Sequence, residues 1–337
     1  MSQRRVLLRA ARFAAFAVGV AVVTVLPHWL SDFRASEVAY VGVYMIGILG
    51  LNILTGYTGQ ISLGHGAFMA IGGYTTAILV GHHAVRDLWT IPLAGLVAGG
   101  AGLLFGLPAL RLSGLYLALA TFALPVALPQ VLKKFSHFTG GGQGIQIFGD
   151  PDYTGKGYEN VHVLGQTLTF NDWLYYLTWT IAVVLFVAAW ALLAGRAGRT
   201  FRAIRDSEIA ATASGIDLPL YKTLAFGISA AFAGVAGSLF VLVSFSASPG
   251  SFPIVLSLYL LVGAVVAGLG SLWGIVVGAL FVQYLPAVSG HISNHAGAAD
   301  VTRGVILILV VLILPAGVAG LIRRAGSPLT NRAIRRS

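Results

Sequence analysis

Long runs of residues without a charged side chain dominate the chain and predict membrane-spanning helices. A helix needs about 20 apolar residues to cross the hydrocarbon core of a bilayer. Turn-forming residues divide two of the longer runs, around Thr55–Gly66, at Ser246–Pro253 and near Gly268–Ser271. The pattern therefore predicts an all-α polytopic transmembrane helical bundle of about ten spans. The charge-free runs cover residues 13–31, 38–85, 88–110, 112–132, 173–195, 223–299 and 304–322.

Composition excludes an ordinary soluble protein. Hydrophobic residues make up 57% of the 337 residues and charged residues only 9%, against about 25% charged in typical soluble domains. Cysteine is absent, which excludes structural disulfides and thiol chemistry. The formal net charge of +10 is attributed to membrane orientation rather than to nucleic-acid binding, because positive loops stay in the cytoplasm.

The distribution of Lys and Arg predicts the orientation of the chain. Most of these residues fall on one side of the predicted bundle, and that side is expected to be cytoplasmic. Residues 133–172 then form an outer loop, residues 195–222 form a cytoplasmic loop, and both termini are cytoplasmic. The whole of 1–337 is expected to form a single transmembrane domain.

The predicted spans contain no Asp, Glu, Lys or Arg away from their ends. Pumps and carriers driven by ion gradients commonly hold such residues at membrane depth, so that class is disfavoured. A pathway without fixed charge favours a neutral or zwitterionic solute.

Glycines four residues apart predict close helix packing. They are Gly95/Gly99, Gly102/Gly106 and Gly270/Gly274/Gly278.

The segment Leu54–Gly73, LTGYTGQISLGHGAFMAIGG, places glycines and polar residues where a transmembrane helix ought to continue. Non-helical backbone at membrane depth is tolerated only where it is buried in protein or lines a wet cavity. One interpretation is a substrate-pathway or gate segment, and the other is a hairpin loop on the cytoplasmic side with a packing role. The candidate substrate-pathway contacts are Tyr57, Gln60, Ser62 and His65.

Within the cytoplasmic loop, Thr200–Gly215 predicts one short amphipathic helix that begins with Thr200 as N-cap and stops at Gly215. This helix is suited to lying on membrane lipid or to docking in a groove of a soluble partner. Its mixed charge favours the partner. Its apolar positions are Phe201, Ile204, Ile209 and Ala213, and its charged positions are Arg202, Arg205, Asp206 and Glu208.

The sequence offers no signature of an enzyme. No phosphate-binding loop is present, no nucleophile–base spacing stands out, and no set of metal ligands has a fixed spacing. We therefore expect no catalytic residues, no metal and no cofactor, and we expect the energy for transport to arrive from another chain.

Five blocks between Leu51 and Leu280 resemble the M-type permease subunit of bacterial branched-chain amino acid ABC importers. The resemblance implies a pore-forming subunit in the bacterial cytoplasmic (inner) membrane. It also implies a second permease subunit of the H-type, two ABC ATPase subunits that hydrolyse ATP, and an extracytoplasmic solute-binding protein. The blocks read LNILTGYTGQISLGHGAFMAIGGYTTAIL, LRLSGLYLALATFAL, TGGGQGI, GRTFRAIRDSEIAATASGIDLPLYKTLAFGISAAFAGVAGSL and VVAGLGSLWGIVVGAL.

The resemblance also implies a role for the cytoplasmic loop and a class of substrate. The stretch matching Arg199–Gly215 is expected to couple to the ATPases, through Phe201, Arg202, Arg205, Asp206, Glu208 and Gly215. Branched-chain or related neutral amino acids are the expected cargo, moved into the cytoplasm. The same family includes permeases for urea, short amides and other amino acids, and an autonomous facilitator or channel is a further alternative.

Overall fold

Helices follow the apolar runs of the sequence. The structure, a computed structural model, describes residues 32–83, 87–110, 112, 114–147, 161–163, 166–168, 170–292, 297–314, 317–318 and 320. The helices are α1 Asp32–Leu51, α2 His65–His83, α3 Asp87–Ala109, α4 Leu115–Lys134, α5 Ser136–Thr139, α6 Phe170–Ala194, α7 Arg196–Asp206, α8 Glu208–Ala213, α9 Leu218–Ser244, α10 Ile254–Ala267, α11 Ile275–Ile292 and α12 Ala298–Ile313.

Short irregular elements interrupt the helices. A π-helical turn, Asn52–Tyr57, continues α1, and a 3₁₀ turn, Pro249–Ser251, precedes α10. Two antiparallel pairs of short strands complete the described elements. The strands are β1 Ile145–Gln146, β2 Val161–Val163, β3 Gln166–Leu168 and β4 Ser246–Ala247, with β1 paired to β4 and β2 paired to β3.

The prediction of an all-α polytopic bundle is confirmed. Six helical segments of the described chain are long and apolar enough to cross a membrane. The number of spans stays a prediction, because the first predicted span, 13–31, lies outside the described residues, as do both termini. The six segments are Arg34–Tyr57, Leu88–Pro108, Leu115–Lys134, Asn171–Ala194, Leu218–Ser244 and Pro249–Ala267.

Helix α9 lies at the centre of the bundle, packed against α1, α2 and α3. The predicted glycine groove on α3 is confirmed, because four of the five glycines of this helix, all except Gly100, face α9. Glycines allow this approach because a helix without side chains at the contact brings its backbone close to its neighbour. The α3 contacts are Gly95 with Val235, Gly99 with Ala231, Gly102 with Ala230, and Gly106 with Phe226 and Thr223.

The two ends of α9 define the two ends of the bundle. Its 27 residues separate them by about 40 Å, at 1.5 Å per residue. At the first end, which we call the loop end, α7 packs against the π-helical turn that continues α1, and α8 packs against α7 and α9. At the second, the strand end, β1 pairs with β4 and Ile147 N–H donates to the Phe245 carbonyl at 2.9 Å. The segments predicted to lie on opposite membrane faces therefore sit at opposite ends.

Candidate functional site

The end of α1 is held by a buried amide rather than by water. Asn52 opens the π-helical turn and is fully buried. Its Oδ1 accepts a hydrogen bond of 2.8 Å from Gly270 N–H, and its Nδ2 donates one of 2.8 Å to the Ser271 carbonyl. Gly270 and Ser271 belong to the turn between α10 and α11. One side chain thus joins two of the three helix interruptions that the sequence predicts. Single-turn π segments of this kind often occur at functional sites.

The chain between the π-helical turn and α2 runs without helix through residues 59–64. Local bonds stabilise it: Thr55 Oγ1 donates to the Gln60 carbonyl at 3.0 Å, and Gln60 Nε2 donates to Thr58 Oγ1 at 3.1 Å. Leu63 N–H donates to Thr121 Oγ1 of α4 at 2.9 Å. The polar side chains of this segment therefore satisfy backbone groups that a continuous helix would have paired.

Helix α2 begins inside the bundle rather than at its surface. A Cβ on Gly50 would lie 3.2 Å from Nε2 of His65, the first residue of α2. The imidazole of His65 therefore reaches the level of Gly50, seven residues before the end of the π-helical turn at Tyr57. The segment thus re-enters the bundle, as expected for an interrupted transmembrane helix.

The first turn of a second helix lies beside the start of α2. Gly66 N–H donates a hydrogen bond of 2.9 Å to Ser257 Oγ in the first turn of α10. The residues before α10 enter from the strand end, where Phe252 is buried against the position of Gly73 and packs on the ring of Phe240 at 5.3 Å. Two interrupted segments, one from each end, therefore meet in the interior.

The four candidate substrate-pathway residues lie together in residues 57–65, which we call the re-entrant segment, and all are buried. Ser62 Oγ accepts from Gly64 N–H at 3.3 Å, and Gln60 is bonded within the segment. His65 is 1% exposed. Its ring lies near the Gly47 carbonyl, yet neither ring nitrogen makes a well-formed hydrogen bond within the described residues. The pathway role of Tyr57, Gln60, Ser62 and His65 stays a prediction.

The loop predicted as one helix forms two. Helix α7 begins at Arg196, so Thr200 lies inside it rather than at its N-cap. The break comes at Ser207, whose extended backbone lets its Oγ accept from Ala210 N–H at 3.2 Å and cap α8. The predicted stop is consistent with the structure: α8 ends at Ala213, and Gly215 follows with φ of +81°. Local capping by Ser207 thus overrides the continuous apolar periodicity.

The candidate coupling residues divide into an inward and an outward set. Phe201 is buried, with its ring edge-on to Tyr221 at 6.4 Å.

Arg202 Nη1 donates to the Leu193 carbonyl at 3.3 Å, and its guanidinium carbon lies 6.0 Å from the centre of the Tyr57 ring. Arg205 Nη1 donates to the Gly56 carbonyl at 3.0 Å. The side chains of Phe201, Arg202 and Arg205 therefore contact the bundle itself.

The side chains of helix α8, apart from that of Ala211, are exposed. Ile209 is 85% exposed, and Ala210 and Ala213 beside it are also exposed. Glu208 is tied back to α9 by an ion pair of 2.7 Å with Lys222. The sequence assigned Phe201 and Ile209 to one apolar face, but after the break at Ser207 Ile209 is exposed while Phe201 is buried.

The two candidate sets, pathway and coupling, are in direct contact. Tyr57 lies under Arg202, and Gly56 accepts from Arg205. Asn52 and Ser257, which bond the interrupted segments of this region to one another, are not among the residues predicted from the sequence. The available signal was a lone amide or hydroxyl inside an apolar run. Within the described residues, no three His, Asp or Glu side chains are grouped as metal ligands.

Most of the chain is similar in sequence to known proteins. A family described as "branched-chain amino acid transport system / permease component" matches residues 35–314. The chain is 33% identical over 252 residues to the high-affinity branched-chain amino acid transport system permease protein LivM of Escherichia coli strain K12. It is 34% identical over 252 residues to the protein of the same name from Salmonella typhimurium strain LT2. The alignment covers 71% of this chain but 59% of each relative. No solved structure matches the chain.

Proposed function

Because the chain belongs to the family of branched-chain amino acid transport permease components, we propose that it is the membrane-spanning permease subunit of an ABC importer. The proposed cargo is a branched-chain or related neutral amino acid, moved into the cytoplasm. The observation that carries the proposal is the contact between the interrupted helix and the loop helix α7, through Arg205 and Gly56. A permease driven from outside the membrane needs such a connection between its pathway and its docking loop.

The charge pattern supports a neutral cargo. Acidic and basic residues in the described spans lie within the first or last six residues of their helices. A zwitterion needs no net counter-ion, because its carboxylate is stabilised by helix N-termini and its ammonium group by carbonyl oxygens. The adjacent first turns of α2 and α10 supply such N-termini, and His65 supplies a buried imidazole that makes no well-formed hydrogen bond within the described part of the chain.

In the proposed mechanism, partner chains supply the energy for transport. Two ABC ATPase subunits bind at the loop end, an H-type permease subunit completes the membrane assembly, and an extracytoplasmic solute-binding protein delivers cargo at the strand end. The loop end then faces the cytoplasm and carries both termini, and the protein is a multi-pass component of the bacterial inner membrane. The chain itself is not an enzyme, and ATP is hydrolysed in the partner subunits.

The docking surface is refined by the geometry of α8. We place the contact with an ATPase subunit on Ile209, since a strongly exposed isoleucine suits an apolar groove of a partner. Phe201, Arg202 and Arg205 are assigned to transmission within the subunit. Asp206 and Glu208 flank the exposed apolar surface, and Gly215 ends it.

Reconstitution in liposomes tests the proposal. The chain is purified with its partner permease, the ATPases and the solute-binding protein, and uptake of radiolabelled leucine, isoleucine and valine is followed with and without ATP. We expect ATP-dependent accumulation that needs every subunit. ATP-dependent uptake of urea or a short amide, without uptake of the three amino acids, would contradict the proposed cargo and identify that compound as the substrate. Solute flux through the chain by itself would favour an autonomous facilitator and contradict the proposal.

A further inference from the structure

The guanidinium of Arg205 lies where three segments of the loop end meet. Its Nη1 donates to the Gly56 carbonyl at 3.0 Å, and it lies 3.1 Å from the position of a Cβ on Gly270. Its Nε and Nη2 both donate to Asp206 Oδ1 at 3.2 Å, which fixes the plane of the group. Arg205 therefore reaches from α7 to the end of the π-helical turn and to the turn before α11.

Glycines make this approach close. A Cβ on Gly59, whose φ is +75°, would lie 3.1 Å from Cγ of Arg205. A Cβ on Gly56 would collide with Asn52 Oδ1 and with the backbone nitrogen of Gly270. The arginine stem therefore lies against the backbone at Gly59, and Gly56 lies against the backbone of Gly270, so a movement of either part is resisted by direct contact.

Asn52 supplies a second connection between two of the same segments. Its two hydrogen bonds of 2.8 Å hold the backbone of Gly270 and Ser271 against the π-helical turn. Because the amide is fully buried, separating these segments would leave a buried donor and a buried acceptor unpaired, which is unfavourable. The π-helical turn and the turn before α11 therefore form one unit, and Arg205 attaches α7 to it.

We infer that Arg205 is a positioning residue that acts inside the subunit, through Gly56, Gly270 and Asn52, so that α7, the end of α1 and the turn before α11 move as one body during transport. The inference rests on the proposed function and deepens it. It assigns to Arg205 a role other than contact with an ATPase: force applied to α7 reaches the re-entrant segment and the α10–α11 pair together.

The first experiment separates ATP hydrolysis from uptake. In the complete reconstituted transporter, Arg205→Ala should leave subunit assembly intact and ATP hydrolysis within about twofold of wild type, while uptake falls about tenfold, within the range of allosteric coupling energies. Arg205→Lys, which keeps the charge but lacks the planar fork, should recover part of the uptake. Arg196→Ala, at an exposed arginine of the same helix, is the matched control and should transport normally. An Arg205→Ala transporter that moves as much solute per ATP as wild type would overturn the inference.

A double-mutant cycle tests whether Arg205 and Asn52 act through one unit. Asn52→Leu should lower the ratio of uptake to ATP hydrolysis, and adding Arg205→Ala should lower it little further, because residues of one network are not additive. Fully multiplicative losses would mean independent roles and would contradict the inference. A wild-type transporter that takes up none of the tested solutes would instead refute the proposed function, which keeps the two failures distinct.

A covalent link gives an independent test. The position of a Cβ on Gly59 lies 3.7 Å from Cβ of Arg205, within the roughly 3.5–4.5 Å found in disulfides, and the chain contains no other cysteine. When its cysteines are reduced, Gly59→Cys/Arg205→Cys should hydrolyse ATP with little uptake. When they are oxidised, uptake should recover, because the disulfide replaces the connection between α7 and the bundle that Arg205 made. Gly59→Cys alone controls for backbone strain at positive φ. A disulfide that forms fully but leaves uptake at the reduced level would overturn movement as one body.

Discussion

The backbone N–H of Gly66 donates a hydrogen bond of 2.9 Å to Oγ of Ser257, 191 positions later in the chain. The bond joins the first turn of α2, which starts inside the bundle, to the first turn of α10. The positive ends of two helix dipoles are thereby held close together in the interior. Both residues are buried, so neither group has water as an alternative partner.

Replacing Ser257 should therefore weaken both the fold and the site. Ser257→Ala leaves the Gly66 N–H unpaired in a buried position, and we expect it to lower the free energy of unfolding by about 1–3 kcal/mol. The measurement is the midpoint of thermal unfolding of the purified complex in detergent. Ser214→Ala, which removes an exposed hydroxyl bonded within α8, is the control. Equal midpoints for the two variants would contradict the importance of this bond.

The crossing of α2 and α9 leaves no room for a side chain at its closest point. A Cβ on Gly72 would overlap the backbone of Gly234, whereas Gly100 of α3 has open space around that position. We expect Gly72→Ala to destabilise the protein by about 1–3 kcal/mol through overpacking. Gly100→Ala should be neutral or stabilising by up to about 1 kcal/mol. The comparison of thermal midpoints checks both, and a Gly72→Ala midpoint at or above that of Gly100→Ala would refute the prediction.

The sequence predicts the helices well because the membrane sets their length. Each described helix that occupies a predicted run does so because about 20 apolar residues have no stable alternative in lipid. Glycine spacing also predicts which face of α3 packs, since Gly95 and Gly99 meet α9 in the structure. These signals are local, so they can be read along the chain.

The candidate site is less accessible to sequence analysis because its bonds are long-range. Nothing near Asn52 in the chain indicates that its partners are Gly270 and Ser271. The division of the loop into α7 and α8 depends on a single capping bond at Ser207, which competes with an apolar periodicity that continues through it. The exposure of Ile209 follows from the backbone conformation at Ser207, which the spacing of apolar residues does not predict.

His65 offers a test that separates stability from transport. Because neither ring nitrogen makes a well-formed hydrogen bond with any residue that the structure describes, His65→Leu removes a buried polar group that gives little to the fold, and the thermal midpoint should stay level or rise. If the imidazole contacts the passing solute, uptake should fall about tenfold, as for the loss of about 1.4 kcal/mol of stabilisation at the pathway.

The matched control for His65 is Thr178→Val, which removes a buried hydroxyl of α6 that has no hydrogen-bond partner among the described residues. It should change neither the midpoint nor uptake. Normal uptake by His65→Leu would remove His65 from the substrate pathway. A large fall in the midpoint would instead assign the imidazole a structural role.

Ile209 tests the docking surface. Arg202 and Glu208 are unsuitable for this purpose, because they bind the Leu193 carbonyl and Lys222 within the subunit, and their replacement would disturb the fold. Ile209 is 85% exposed, so Ile209→Asn removes an apolar contact from the surface while leaving the packing intact.

For Ile209→Asn, we expect the thermal midpoint of the membrane subunits to stay unchanged. The fraction of ATPase that copurifies should fall, and ATP-dependent uptake should fall in proportion. Arg196→Asn, at an exposed site of the same loop, should leave both values at the wild-type level. If Ile209→Asn retains its full complement of ATPase and transports normally, the partner must bind elsewhere on the loop end.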